Sequence, residues 1–403
     1  MNLFYDLAKD TKAYLEKLII SIDKAFPLAR RFANNLKYDV KELSDLFTSR
    51  RSEQQLSYLN KPNLLSAYLR FFLPWNVFSL CKLLPQLNIE LKDGDTLLDI
   101  GSGPLTFILA LWISRPELRN TSLEIFALDR SEKALNAGEK IFNALIADNG
   151  LALNKNKWSI KKINGQFHGK GFILQKINNG KPFAFISAIN VFNEIYYKLS
   201  PRDKTGLEKL AVQNASLLAQ SVNNGSILVF EPGIPRSGEF ISTLRSAFLN
   251  LGYDIDSPCL HKQACPYPGG LVLGKGKAKW CHFPFNTDEA PESIKKLSMA
   301  AGIPKQRAVL SFLYVKTNLN KADTNKKNHD KSKNSDLKKT CRVISDIFPV
   351  GRSYACYVCS HSDPVLLKAA SKAQDYILES GNIVSFTLDG KKDEKSGALT
   401  GII

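Results

Sequence analysis

Acidic residues are scarce in this sequence. Its 403 residues include 38 Asp and Glu against 55 Lys and Arg, which gives a formal net charge of +17. Residues 149–193 contain seven lysines and no acid; residues 257–287 contain four lysines and no acid, interleaved with Tyr267, Trp280 and Phe283. Basic stretches with aromatic side chains suit RNA, because planar rings stack on bases while lysines meet phosphates. We therefore expect RNA, and not DNA, as the partner.

Long apolar runs and a secretion signal are also lacking. No run of 18 apolar residues occurs, so we expect no membrane span. Residues 1–20 have the spacing of an amphipathic helix that contains acids, unlike a signal peptide or a transit peptide. Seven cysteines, an odd number, without a secretion signal argue against a disulfide framework. These absences predict a protein of the reducing cytoplasm, and since nothing indicates a coiled coil we expect a monomer.

Hydrophobic spacing divides the sequence into five parts. Residues 1–90 are predicted to form a helical domain, since apolar residues recur every three or four positions. Residues 91–256 alternate short apolar runs with helical patterns, which predicts an open parallel sheet with helices on both faces. A cysteine-rich insertion with a last core strand (257–315), a disordered lysine-rich loop (316–339) and a small β appendage (340–403) follow. The predicted strands are 96–100, 124–128, 158–163, 183–189, 226–230 and 308–315, and the helices between them include 105–113, 132–147 and 204–220.

The sharpest local motif is a strand, a glycine turn and the start of a helix, Thr96-Leu-Leu-Asp-Ile-Gly-Ser-Gly-Pro-Leu-Thr106. Gly101 allows a tight turn after Asp99, and Gly103 lets the backbone approach a ligand with no Cβ in the way. The helix that follows has free N–H groups that favour an electronegative ligand. Asp129 ends the next predicted strand, where a carboxylate accepts hydrogen bonds from ribose hydroxyls. The motif predicts a nucleotide-binding site.

The spacing of the glycines indicates which nucleotide binds. The dinucleotide fingerprint needs a glycine where Thr106 stands, so D-x-G-x-G-x is closer to the S-adenosylmethionine signature. We therefore predict a class I S-adenosylmethionine-dependent methyltransferase fold, Rossmann-like, whose cofactor-binding residues are Asp99, Gly101, Gly103 and Asp129. Leu105 stands where many methyltransferases have a third glycine, and a branched side chain there could crowd the cofactor.

The fourth predicted strand leads into Asn190-Val-Phe-Asn-Glu194, at the edge where such methyltransferases place polar residues that face the substrate. Asn190, Asn193 and Glu194 are therefore the candidate catalytic residues. The Asn-Pro-Pro-aromatic motif of enzymes that methylate exocyclic amines is absent. Capping of the following helix by Asn and Glu explains these residues equally well.

Five of the seven cysteines lie in short, loop-like contexts: Cys259, Cys265, Cys281, Cys356 and Cys359. Four thiolates in a reducing compartment suit a structural zinc ion or an iron–sulfur cluster. The spacing C-x5-C of the first pair differs from the tight C-x2-C of zinc ribbons, which favours a cluster held by distant segments. The predicted ligands are Cys259, Cys265, Cys281 and Cys359, with Cys356 as the alternative fourth, while His261 and His282 are expected to lie beside the ligands.

Four motifs in the same order resemble the methyltransferase-like assembly proteins of the mitochondrial small ribosomal subunit and their bacterial and archaeal relatives. They are Leu98-Asp-Ile-Gly-Ser-Gly-Pro104, Val229-Phe-Glu-Pro-Gly233, Pro258-Cys-Leu-His-Lys-Gln-Ala-Cys-Pro266 and Trp280-Cys-His-Phe283, within residues 60–360. The resemblance implies a methyltransferase fold that binds small-subunit rRNA during ribosome maturation, and a [4Fe–4S] cluster on Cys259, Cys265, Cys281 and Cys359. Without a transit peptide, the chain is expected to be a bacterial, cytoplasmic member.

Three functions follow from these observations. The first is a ribosome-assembly or translation factor that binds small-subunit rRNA and uses the methyltransferase fold as a scaffold. The second is an active rRNA methyltransferase. The third is an iron- or redox-responsive switch in which loss of the cluster frees the appendage and lowers RNA affinity. The resemblance favours the first, because several members of the family are thought to act as binding proteins.

Overall fold

The computed structural model describes most of the chain as two compact units. The N-terminal unit comprises Tyr5–Ile189 and Asn286–Ala308, and the C-terminal unit comprises Met1–Phe4, Asn190–Phe285 and Val309–Ile403. The described residues are 2–51, 58–147, 156–167, 174–269, 279–317, 339–351, 353–360, 363–369 and 377–403.

The N-terminal unit begins with helices, as the apolar spacing predicts. They are α1 (Lys9–Ala25), α2 (Arg30–Ala33), α3 (Leu36–Phe47), α4 (Pro62–Ala67) and α5 (Leu73–Leu83), with one π turn between α4 and α5. Helix α1 buries Leu15, Leu18 and Ile22 on one face. Among the described residues, the helical run Pro62–Gln86 has the length and composition of a membrane span, and 61% of its most apolar window is buried inside the protein. That burial is typical of a core helix.

The same unit contains four parallel strands in the order β3-β2-β1-β4. They are β1 (Asp95–Ile100), β2 (Leu123–Asp129), β3 (Trp158–Asn164) and β4 (Phe183–Ile189). Helix α6 (Thr106–Ser114) follows β1 and helix α7 (Glu132–Ala147) follows β2. Strand order reverses at β1, so the carboxyl ends of β1, β2 and β4 meet at one edge, where ligands of such sheets bind.

In the C-terminal unit, antiparallel strands take the order β5-β8-β6, with β7 also paired to β8. The elements in chain order are α8 (Phe192–Tyr196), α9 (Lys204–Gln220), β5 (Val222–Pro232), α10 (Pro235–Asn250), β6 (Tyr253–Ser257), β7 (Phe283–Asn286), α11 (Glu292–Ala300), which lies in the N-terminal unit, and β8 (Arg307–Thr317). The cysteine-rich insertion lies between β6 and β7.

The last strands form a separate sheet that closes on itself. They are β9 (Lys339–Val343), β10 (Phe348–Val350), β11 (Ser353–Cys359), β12 (Pro364–Ala369), β13 (Ile383–Lys392) and β14 (Leu399–Ile402). Their order is β10-β11-β12-β14-β13-β9, and β9 also pairs with β11, which makes a five-stranded barrel with β10 as an added strand. Alternate side chains of each strand fill its core, among them Val343, Val358, Leu367 and Phe386.

The predicted fold class is confirmed: the chain has a class I methyltransferase-like mixed α/β sheet with helices and an extra C-terminal sheet. Every predicted strand and helix named above is present. Strand β5 is longer than predicted, because it begins at Val222 and ends at Pro232. The predicted lysine-rich loop 316–339 lies, apart from its first two residues and its last, outside the described residues, and the predicted domain boundaries stay predictions.

Candidate functional sites

The turn after β1 has the backbone that its glycines predict. Gly101 and Gly103 have φ angles of 64° and 53°, and Leu105, at the start of α6, has a φ of 59°, which is unusual for a residue with a side chain. The Leu105 side chain is fully buried, and its Cγ lies where a Cβ on Gly138 of α7 would fall, 2.6 Å from that position. The side chain therefore packs toward α7, which compensates for the strained backbone.

Asp99 is buried at the end of β1. Its two carboxylate oxygens accept hydrogen bonds from Oγ of Ser102 at 2.5 Å and Oγ of Ser187 at 2.7 Å. Burial raises the pKa of Asp99 to about 7; the two hydroxyls oppose the rise, and Asp129 adds to it. These contacts indicate that Asp99 shapes the turn by fixing Ser102, and that it acts on a ligand through the turn.

Asp129 lies at the end of β2 and faces the same turn. Its Oδ2 accepts a hydrogen bond from Gly103 N at 2.9 Å, and its Oδ1 accepts one from Ser131 N at 2.7 Å. Burial raises the pKa of Asp129, while the two amides oppose the rise. A carboxylate offers about four lone-pair positions, so each oxygen can accept one more hydrogen bond. Asp129 can therefore hold the turn and bind a pair of hydroxyls at once.

The backbone at Gly103 is open on one side, as binding of S-adenosylmethionine, the cofactor that the fold implies, would require. A Cβ built on Gly103 would meet no atom within 4 Å, so the space beside this glycine is open. Because the Leu105 side chain points to Gly138, the predicted crowding by Leu105 finds no support. Open space over the turn and the remaining lone pairs of Asp129 fit a ribosyl ligand.

The segment after β4 places the three candidate catalytic residues differently. Asn190 has a φ of 56°, donates its N–H to Phe230 O at 2.7 Å, and has a buried side-chain Oδ1 without a hydrogen-bond partner. Asn193 and Glu194 lie within α8, where Asn193 is buried and Glu194 is half-buried. Among the three candidate catalytic residues, Asn190 is the one with a side-chain acceptor that has no hydrogen-bond partner.

Capping of α8 comes from a residue to which the sequence analysis assigned no role. Glu231, fully buried on β5, accepts hydrogen bonds from Phe192 N at 2.8 Å and Asn193 N at 3.1 Å. No side chain of the segment itself caps this helix. The explanation of Asn190 and Glu194 as caps was therefore wrong. Two features of the sequence marked Glu231: it is an acid inside an apolar strand, Ile-Leu-Val-Phe-Glu, which requires buried partners, and it belongs to the motif Val229-Phe-Glu-Pro-Gly233.

The four predicted cysteine ligands share one neighbourhood in the C-terminal unit, where Cys359 is buried and the other three are half-buried. Burial raises the pKa of the Cys281 thiol well above its ordinary value, and the nearby thiols of Cys265, Cys359 and Cys259 raise it further. Burial likewise raises the pKa of Cys359, to which Cys259 and Cys265 add. Residues separated by up to 100 positions are thus brought together by the fold.

Two buried arginines lie beside these thiols. Arg245 of α10 donates through Nε to Cys259 Sγ at 3.1 Å and through its second guanidinium nitrogen to His261 O at 2.7 Å. Arg342 of β9 donates to Pro258 O at 2.6 Å and Gly381 O at 2.7 Å. Both cations lower the pKa of Cys259, against the larger effect of burial. The two arginines therefore offset part of the penalty that burial places on the thiolate form of Cys259.

Strand geometry separates the two alternatives for the fourth ligand. Side chains alternate along β11, so Cys356 points into the barrel core beside Cys341 while Cys359 points outward. His261 Nε2 lies 3.3 Å from Cys359 Sγ, and His282 stacks on Trp280. Among the described residues, no three His, Cys, Asp or Glu side chains are arranged so that they could hold a metal ion.

Side chains of the insertion connect it with the barrel and with α10. Tyr267 is buried, donates to Val358 O at 2.8 Å and accepts from Val365 N at 3.0 Å. The Trp280 indole donates to Gly233 O at 3.0 Å and lies against Gly238, where any Cβ would meet its ring. Three of the four family-like motifs therefore meet in this one region of the C-terminal unit.

In the two stretches without acids, residues 149–193 and 257–287, several lysines and aromatic rings already have partners within the protein. Lys161 and Lys162 of β3 form ion pairs with Glu124 and Glu139. Tyr267 and Phe283 are buried, so the expectation that they stack on RNA bases was wrong. An aromatic residue in a basic segment does not reveal from sequence whether its ring faces solvent or the core. Lys155, Lys170, Lys275 and Lys277 lie outside the described residues.

Comparison with known proteins supports the resemblance over part of the chain. The family model described as mitochondrial small ribosomal subunit Rsm22 matches residues 205–374, which include all four predicted cysteine ligands. The family resemblance predicted from the motifs is confirmed over that range. A search of the curated proteins finds no match.

Solved structures similar to this chain are methyltransferases at low sequence identity. An S-adenosylmethionine-dependent methyltransferase from Thiobacillus denitrificans, in complex with S-adenosyl-L-homocysteine, is 13% identical, with 61% of this chain and 92% of that chain covered and a TM-score of 0.31. A second, from Geobacter sulfurreducens with the same ligand, is 13% identical, with 61% of this chain and 91% of that chain covered and a TM-score of 0.30. A methyltransferase homologue from Pyrococcus horikoshii is 12% identical, with 76% of this chain and 99% of that chain covered and a TM-score of 0.34.

Proposed function

We propose that this chain is an assembly or translation factor of the small ribosomal subunit that binds small-subunit rRNA and uses its methyltransferase fold as a scaffold. The observation that carries the proposal is the match of the small-subunit family model to residues 205–374, the region in which the insertion, β5, α10 and the barrel meet. The net charge of +17 supports a polyanionic partner. We place the protein in the bacterial cytoplasm, as a monomer without membrane or DNA contact.

The proposal includes a [4Fe–4S] cluster on Cys259, Cys265, Cys281 and Cys359. The residues fit such a group because four thiols share one neighbourhood beside two arginines, which offset the charge of thiolates. Zinc stays the alternative; the C-x5-C spacing of Cys259 and Cys265, unlike the C-x2-C pairs of zinc ribbons, is what favours a cluster. Bound there, a cluster would cross-link the insertion to the barrel through Cys359.

The test is purification without oxygen, followed by iron and sulfide analysis and sedimentation with small subunits. We expect about four irons per chain, the stoichiometry of a [4Fe–4S] cluster, and co-sedimentation with small subunits; Cys259→Ser should reduce both. Cys81→Ser is the matched control, because Cys81 is buried on α5 and its Sγ points to Ala110 O at 3.8 Å. Bound zinc in place of iron would contradict the cluster, and unchanged sedimentation of Cys259→Ser would contradict its role.

An active S-adenosylmethionine-dependent rRNA methyltransferase is the second candidate. It is favoured by the open space beside Gly103 and by the unpartnered Oδ1 of Asn190. S-adenosylmethionine would supply an electrophilic methyl group, and Asp129 would bind its ribose hydroxyls. Calorimetric titration of S-adenosylmethionine separates the candidates. Micromolar binding that Asp129→Ala abolishes supports the enzyme, and absence of binding by folded protein leaves the scaffold.

A further inference from the structure

The C-terminal barrel has the connectivity of an OB fold. Taken in chain order without β10, its strands β9, β11, β12, β13 and β14 are strands one to five. Their order around the barrel is one-two-three-five-four, and strand one closes it by pairing with both strand two and strand four. The pair of strands three and five (β12 and β14) is parallel, and the other pairs are antiparallel. OB folds bind oligonucleotides on the face of strands two and three, between the loop joining strands one and two and the loop joining strands four and five.

The outer face of β11 and β12 has side chains suited to that use. Cross-strand pairing places Phe348 beside Ala355, and Tyr357 beside Leu366, on this face. Ala355, Leu366 and Ala398 form its floor, and the half-buried rings of Phe348 and Tyr357 pack against it, with centroids 5.6 Å apart. Ala355, Leu366 and Ala398 are themselves buried, so the half-buried ring of Phe348 is the part of this face on which a planar base can stack.

The two loops that border this face are of the kind that the fold uses for binding. On one side, β10 adds a hairpin to β11 and contributes Phe348 and Val350. On the other side, the hairpin between β13 and β14 contributes Ala398. Phe348 is the aromatic ring best placed for a ligand, because Lys279 already lies 4.5 Å over the ring of Tyr357.

Charge identifies the ligand class. Lys391, Lys392 and Lys395 of the second hairpin are exposed, and Lys368 lies opposite Ala355 on the face. Two of the three hairpin acids bind within the hairpin: Asp389 accepts from Thr400 Oγ and Lys391 N, and Asp393 accepts from Ser396 N at 2.7 Å. The third, Glu394, is exposed, so three exposed lysines stand against two exposed acids, of which Asp389 is already bound within the hairpin. Cations turned outward around an aromatic surface match a phosphate backbone with unstacked bases, whereas an oligosaccharide would not require them.

We propose that this barrel face, defined by Phe348, Tyr357, Lys368 and the lysines of the β13–β14 hairpin, binds single-stranded RNA. The inference rests on the proposed function and specifies it: the barrel, and not the methyltransferase-like sheet, contacts an unpaired segment of rRNA. Stacking on Phe348 positions the bases, and the hairpin lysines bind the phosphates.

The test uses the full chain and a fluorescent single-stranded RNA of about 12 nucleotides, within the footprint of one OB fold, with its duplex as competitor. Replacing Lys391, Lys392 and Lys395 together by Gln should weaken binding about tenfold or more at 100 mM salt. It should also reduce the slope of log K against log salt by about 2, from about 0.7 per phosphate contact. The matched control replaces Lys198, Lys204 and Lys209, three exposed lysines of the same unit, by Gln.

Phe348 provides the second arm. Phe348→Leu keeps an apolar side chain but removes the ring, and we expect about fivefold or greater loss of affinity, the lower bound for one stacked base; Phe348→Tyr should bind as the unmodified protein does. Circular dichroism melts of each variant identify any that fail to fold. Equal weakening by the control triple, preference for the duplex, or binding unchanged in both barrel variants would overturn the barrel face. In the last case, retained binding of small-subunit rRNA would leave the proposed function standing, whereas no rRNA binding by the unmodified protein would overturn both.

Discussion

Arg245 donates a hydrogen bond through Nε to the sulfur of Cys259, 3.1 Å away, and both groups lie inside the C-terminal unit. The same guanidinium binds His261 O, so one side chain of α10 fixes two backbone positions of the insertion. A buried guanidinium stays charged, so its loss of hydration must be offset by acceptors around it. The sulfur of Cys259 is one of those acceptors, so Arg245 and the thiol stabilise each other.

We predict that Arg245→Met lowers the free energy of unfolding of the metal-free protein by about 2–4 kcal/mol, because a buried carbonyl and a half-buried thiol lose their donor. Urea denaturation under reducing conditions measures this. Arg245→Lys, which retains the cation but not the planar fork, should lose less. Equal stability of Arg245→Met and the unmodified protein would show that the contact is incidental.

Glu231→Ala should destabilise the C-terminal unit by about 2–4 kcal/mol, because Phe192 N and Asn193 N would remain buried without an acceptor. Glu231→Gln preserves one acceptor oxygen and should lose about half as much. Thermal unfolding of the two variants gives the comparison. If both variants lose the same stability, the charge of Glu231 matters more than its two hydrogen bonds.

The sheet was more predictable from sequence than the sites were. Strands such as β1 and β4 are buried apolar runs, and their periodicity determines both their position and their type. Glu231 escaped prediction because its partners come from another segment of the chain, and sequence spacing does not reveal which segment. Tyr267 and Phe283 were interpreted as ligand-facing for the same reason: composition reports a ring, and only tertiary packing decides which way it faces. The cysteine ligand set stays a prediction, although the fold brings the four thiols close enough for each to affect the pKa of another.

Asp99 makes the stability of the N-terminal unit dependent on pH. Burial raises its pKa to about 7 from an ordinary value near 3.8, so the folded protein binds this proton more tightly than the unfolded chain does. Between about pH 4 and pH 7 the folded state therefore holds more protons, and stability falls as pH rises, by up to about 1.4 kcal/mol per pH unit. Asp99→Asn should flatten this dependence in urea denaturation measured across that range. A variant whose stability follows pH as steeply as the unmodified protein would contradict the assignment to Asp99.

Leu105 and Gly138 offer a test of how the turn after β1 is held. Leu105→Gly relieves a left-handed backbone strain of about 1–2 kcal/mol but removes a fully buried leucine, a loss of about 2–5 kcal/mol, so we expect net destabilisation of about 1–3 kcal/mol. Gly138→Ala should also destabilise, because its Cβ would fall 2.4 Å from the carbonyl carbon of Pro104 and 2.6 Å from Leu105 Cγ.

The double variant decides which of these contacts matters. Leu105→Gly removes the clash with Leu105 Cγ but leaves the clash with the Pro104 carbonyl. The two losses should therefore fall short of additivity by about 0.5–3 kcal/mol, the range for residues in contact, without making the double variant more stable than Gly138→Ala alone. Chemical denaturation of the four proteins in the cycle measures the coupling. A double variant more stable than Gly138→Ala alone would mean that the leucine side chain, and not the backbone of the turn, determines how closely α7 approaches β1. In that case the third-glycine position of the cofactor motif could be restored without loss of the fold.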